Sequence, residues 1–101
     1  MTEAAIRQVN AGELQLSGVI DYQSGAALRK EGHALIKASE ADELVVDCST
    51  VEKSSSVGLS LLLAFTRDAN ATGKLLKVRG LPRDMQQIAQ VCGLTQLLAL
   101  V

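Results

Sequence analysis

Between Val57 and Thr72 the chain reads VGLSLLLAFTRDANAT, where Leu59, Leu62, Leu63, Thr66 and Ala69 keep the i, i+3, i+4, i+7 spacing of one helical face. Leu61 and Phe65 widen that face, so the helix they form has to be substantially buried. On either side stand ELVVD (43–47) and KLLKVRG (74–80), each too short for a helix and apolar enough to be a strand. A strand, a buried helix and a second strand in succession imply parallel pairing, because the helix carries the chain back across the sheet. Gly73 is placed to stop the helix.

The flanking segments extend this pattern. AAIRQV (4–9) and ELQLSG (13–18) are short alternating runs separated by Asn10, Ala11 and Gly12, the composition of a hairpin turn. SGAALRKEGHALIKAS (24–39) predicts a first helix capped by Ser24, with Ala27, Leu28, Ala34, Leu35 and Ala38 mostly on one stripe and Gly25 and Gly32 weakening it. Pro82 suits the first turn of a third helix, on which Met85, Ile88, Ala89 and Cys92 share one side before Gly93 ends it. LTQLLALV (94–101) reads as a closing strand. The order ββαβαβα plus a terminal strand predicts an α/β domain, a mixed sheet with helices packed mainly on one face. With 101 residues, one domain spanning 1–101 is expected.

Composition narrows the function. The only aromatic residues are Tyr22 and Phe65, so stacking platforms for bases are lacking and a nucleic-acid partner is not expected. Residues 1–52 hold 4 basic and 9 acidic groups, whereas 53–101 hold 6 and 2, a sign difference that salt-bridged surfaces account for as well as opposed faces do. Cys48 and Cys92 lie too far apart for a CxxC motif and read as buried thiols; with one histidine in the chain no usual zinc site is expected. There is no cationic start followed by an apolar stretch, and no apolar run near the roughly 20 residues that span a bilayer. Cytoplasmic residence is the expectation.

Little in the chain assembles catalysis. His33 sits in the first helix with no serine or cysteine at a telling distance in sequence. Gly73 and Lys74 resemble the end of a phosphate-binding loop, but Asp68 stands where its leading glycine belongs and Leu75 where its hydroxyl belongs. Asp47 and Glu52 suit structural use at a strand end and a solvated loop. Lys74, Lys77, Arg79 and Arg83, interleaved with Leu75, Leu76 and Val78, describe a strand with one wet side. What stands out is the cluster of Ser54, Ser55 and Ser56 before the buried helix. One capping serine is worth about 1 kcal/mol over alanine, which explains one hydroxyl and not three. Gly58 follows in the first turn, where the missing side chain leaves room for a partner's backbone. A phosphate on a serine here would be held by the helix N-terminus and would add about −1.5 to −2 charge. No catalytic residue, metal or cofactor is expected.

At these residues the chain resembles the STAS domains, the family of bacterial anti-anti-sigma factors and of cytoplasmic modules attached to transporters. LQLSGVID (14–21) is similar to the family's second strand and its G-x-[IL]-D turn, and VVDCSTVEKSSSVGLSLLL (45–63) to its central signature. Within that signature Asp47, Ser49 and Val51 match the opening, Ser56 the regulatory hydroxyl, and Gly58 and Leu59 the close. Ser55 replaces the aspartate that precedes the hydroxyl in phosphorylated anti-anti-sigma factors, and Val57 replaces a small residue. SSSVGLSLLLAFTRDANATGK and VRGLPRDMQQIAQVCGL look more like the MlaB-type STAS subunits of Mla phospholipid-transport ABC complexes.

That resemblance implies a non-enzymatic subunit, peripheral to the inner membrane only through its complex. It would bind a cytoplasmic ABC ATPase beside a permease and a substrate-binding subunit, supporting assembly and activity in transport that maintains outer-membrane lipid asymmetry. The implied contact surface comprises Asp21, Tyr22, Ser54, Ser55, Ser56 and Gly58. The alternative is an anti-anti-sigma factor regulated by phosphorylation of Ser56. An enzyme using the same crevice is a third reading, which lacks a base or metal set beside the serines.

Overall fold

The computed structural model describes residues 4–54 and 56–101. Five strands and three helices follow in the order β1 (Ala5–Asn10), β2 (Glu13–Ile20), α1 (Tyr22–Ala38), β3 (Glu43–Ser54), α2 (Ser56–Ala71), β4 (Leu75–Arg79), α3 (Arg83–Val91) and β5 (Ala99–Leu100). Spatial order equals chain order, β1-β2-β3-β4-β5. The first pair is antiparallel and the other three are parallel, so the sheet is mixed as expected.

The antiparallel pair turns at Gly12, whose φ of +72° suits only a residue without a Cβ. Alternation then sorts each strand into two faces. On β2, Leu14, Leu16 and Ile20 are buried while Glu13, Gln15, Ser17 and Val19 are half-exposed. Leu44, Val46 and Cys48 of β3 and Leu76 and Val78 of β4 continue the buried side. Against it pack Leu28 and Ile36 of α1, Leu59, Leu61, Leu62, Phe65 and Ala69 of α2, and Met85 and Ala89 of α3. The helices form one layer, and among the described residues no element covers the other sheet face.

Several expectations need correction. The third strand runs to Ser54 rather than ending at Asp47, because its polar second half pairs with Ser17–Ile20 of β2. The α1 stripe is Leu28, Gly32 and Ile36, with Leu35 at its margin; Ala27, Ala34 and Ala38 are exposed. Gly32, read as a weakness, is where the two long helices approach: a Cβ there would overlap the Phe65 ring at Cε1 and Cζ. Cys92, expected to be buried, is exposed. It caps the C-terminus of a nine-residue helix whose buried residues are Met85 and Ala89.

Candidate functional site: the paired starts of α1 and α2

Parallel β2 and β3 deliver α1 and α2 from the same end of the sheet, the C-terminal ends of the two strands. At α1 the N-cap is Asp21, not Ser24. Its Oδ1 accepts from the backbone N–H of Gln23 (2.9 Å) and of Ser24 (3.1 Å), and the Asp21 N–H donates to Ser24 Oγ at 3.1 Å. This reciprocal box satisfies free donors of the first turn and is worth about 1 kcal/mol. Asp21 is therefore committed to its own helix, whereas Tyr22, the first helical residue, is 80% exposed. An aromatic ring displayed at a helix start has area to offer a partner.

At α2, Ser54 ends β3 and Ser56 opens the helix with its side chain exposed. Ser55 lies outside the described residues. Gly58, expected to leave an open approach, is buried within the domain. Tyr22, Gly25, Ala26 and Arg29 follow i, i+3, i+4, i+7 along one face of α1. Gly25, Ala26 and Arg29 line a shallow trough of about 250 Å³ with Val57, Ser60, Leu61 and Ala64 of α2. The trough starts directly behind Ser56 and is mostly apolar.

The titratable side chains are engaged elsewhere. Arg29 holds Asp68 through both oxygens, one contact being Nη2 to Oδ1 at 3.1 Å, and His33 Nδ1 lies 3.1 Å from Asp68 Oδ2. At 1.5 Å per residue, His33 and Asp68 sit roughly 17 Å along their helices from Tyr22 and Ser56, beyond reach of the serine hydroxyl as a base. Lys74 Nζ donates to the Ile36 carbonyl at 2.5 Å and so closes the C-terminus of α1. Lys77 pairs with Glu43 at 2.6 Å, and Arg79 bridges Glu13 and Asp47 across three strands of the uncovered face. The wet-strand reading of the basic residues therefore holds for Lys77 and Arg79. Among the described residues no three of His, Cys, Asp and Glu gather as metal ligands. Among the described residues strand order never reverses, so these strands form no switch-point crevice of the kind that holds ligands in doubly wound folds.

Hydrogen bonds from Asn10 and then Arg79 hold the Glu13 carboxyl below its usual value of 4.5. At Asp47 burial pushes upward, but the Ser49 and Arg79 hydrogen bonds together outweigh it and leave the carboxyl below 3.8. Depressed carboxyls contribute stability that is present above their ordinary values and lost as pH falls through the folded-state values. The denaturation midpoint of the wild type should fall on acidification below about pH 4, and Arg79→Met should make that fall shallower. Burial pushes the Cys48 thiol up to about 12, while Cys92 is exposed. A disulfide reagent near neutral pH should titrate Cys92 at once and Cys48 only after denaturation; two fast thiols in the native state would contradict the packing of β3.

A family model described as "Mlab, STAS domain" matches residues 4–100. The chain belongs to the MlaB-type STAS family. No curated protein matches this STAS domain. Among solved structures it is similar to a chain of the Acinetobacter MlaFEDB complex in an ATP-bound conformation, at 30% identity over 93% of this chain and 98% of that one, with a TM-score of 0.79. It is also similar to an anti-sigma factor antagonist from Mycobacterium paratuberculosis, at 25% identity over 97% and 83% of the two chains and a TM-score of 0.76. The Bacillus cell-fate determinant SpoIIAA, in its phosphorylated form, shares the fold at 16% identity, 98% and 91% coverage and a TM-score of 0.68. The STAS domain is thus similar both to a chain of the MlaFEDB complex and to an anti-sigma factor antagonist.

Proposed function

We infer that this STAS domain is a non-enzymatic subunit that docks on the ATPase of an Mla-type ABC transporter through the starts of α1 and α2. Through that complex it supports phospholipid transport that maintains outer-membrane lipid asymmetry, on the cytoplasmic side of the inner membrane. The observation that carries this reading is the near end-to-end similarity to a chain of the ATP-bound MlaFEDB complex. The site geometry supports it: Tyr22 and Ser56 are exposed and uncharged at adjacent helix starts, and Arg29, which lines the trough behind them, is paired with Asp68. Neutral and paired groups avoid the desolvation cost that a protein interface imposes on unpaired charge. The test is co-purification of the tagged domain with the Mla-type ATPase of its own organism. Retention by the wild type and loss by Ser56→Asp is expected; equal retention of both contradicts the docking site.

A second reading is favoured by the 25% identity to the mycobacterial antagonist and by the exposure of Ser56. In it the domain sequesters an anti-sigma kinase and is released when Ser56 becomes a dianion at a previously neutral interface. Ser55 in place of the family's aspartate weighs against it. Mass spectrometry after incubation with the organism's anti-sigma kinase decides: phosphate on Ser56 supports this reading, and none removes it.

A further inference from the structure

Val57 departs from the small residue usual after the regulatory hydroxyl, and α1 carries a glycine in its first full turn; the structure places these two against each other. Gly25 donates the first i→i−4 hydrogen bond of α1, to the Asp21 carbonyl at 3.0 Å. A Cβ built on Gly25 would lie 3.1 Å from Val57 Cγ1, closer than ordinary van der Waals contact. Both residues line the floor of the same trough, one residue beyond Ser56 and three beyond Tyr22. The branched side chain on α2 therefore fits because α1 has none opposite it.

We propose that Gly25 and Val57 are a matched pair of positioning residues that sets the spacing between Tyr22 and Ser56, and with it the partner's fit to the paired helix starts. This rests on the docking reading above. A side chain at position 25 pushes the two starts apart by a few tenths of an ångström. Shortening position 57 returns the space. The effect on stability runs the other way: alanine is a better helix former than glycine, so Gly25→Ala stabilises α1 itself. A purely structural role predicts that binding follows stability, whereas a positioning role separates them.

The experiment measures the Kd of the purified Mla-type ATPase subunit for the wild type, Gly25→Ala, Val57→Ala, Gly25→Ala/Val57→Ala and Ser56→Asp, with the denaturation midpoint of each domain. Gly25→Ala should weaken binding about tenfold with no loss of midpoint, and the double variant should return to within about threefold of the wild type. Wild-type affinity in Gly25→Ala, or a loss that Val57→Ala leaves unrescued, overturns the proposal. If Ser56→Asp weakens binding while Gly25→Ala does not, only the positioning role fails. If Ser56→Asp binds like the wild type as well, or the wild type does not bind, the docking reading falls with it.

Discussion

Ser56→Asp is expected to weaken binding of the Mla-type ATPase by about 100-fold or more, while the isolated domain keeps or slightly raises its denaturation midpoint. The two signs have separate causes. In the free domain a carboxylate on the first residue of α2 meets the positive end of the helix dipole, a favourable placement of about 0.3–1 kcal/mol. In the proposed complex the same carboxylate would be buried without a partner, and an uncompensated buried charge costs on the order of 3–5 kcal/mol. Ser56→Ala removes the hydroxyl without adding charge, so its effect should be smaller, within about tenfold. Measuring binding by calorimetry and folding by denaturant for all three chains checks the claim. A loss of affinity accompanied by a loss of fold would assign the effect to stability instead of contact.

The second large effect is on folding. Gly32→Ala should destabilise the domain by about 1–3 kcal/mol, the range for overpacking a filled core. On an exposed helix the same change would stabilise by roughly 1 kcal/mol. The sign is set by Phe65, whose ring is fully buried and lies where the new Cβ would stand. Because the ring has no exposed end to swing away, α1 and α2 must separate. Adding Phe65→Leu should recover part of the loss, so that the double variant is more stable than the sum of the single changes predicts. Additive losses would mean that Gly32 and Phe65 do not meet.

These two sites mark what the sequence makes readable. Element order and sheet type were legible because α2 is apolar around so much of its circumference that strands had to flank it. The second half of Glu43–Ser54 is polar and carries no strand pattern of its own past Asp47; its strand character comes from pairing with Ser17–Ile20, a contact between distant segments. Gly32 is silent in a hydrophobicity pattern, since the feature that makes it a contact is the atom it lacks. Ala27, Ala34 and Ala38 are apolar without having the size to need burial. At the candidate site, Ser56 was legible from composition and position. Asp21 was legible as a turn residue, while its capping role needed the Ser24 hydroxyl in place. The Arg29–Asp68 pair, separated by 39 residues, and the Gly25–Val57 fit arise only once two helices lie side by side.

The most direct measurement replaces Tyr22 by the photoreactive aromatic p-benzoylphenylalanine, whose added benzoyl group has room at a residue that is already 80% exposed. A second chain carries the same probe at Val91, an 88% exposed position on α3. After irradiation of native membranes containing the assembled transporter, the account predicts a covalent adduct between position 22 and the ATPase subunit, and none from position 91. An adduct from position 91 with none from position 22 would contradict it.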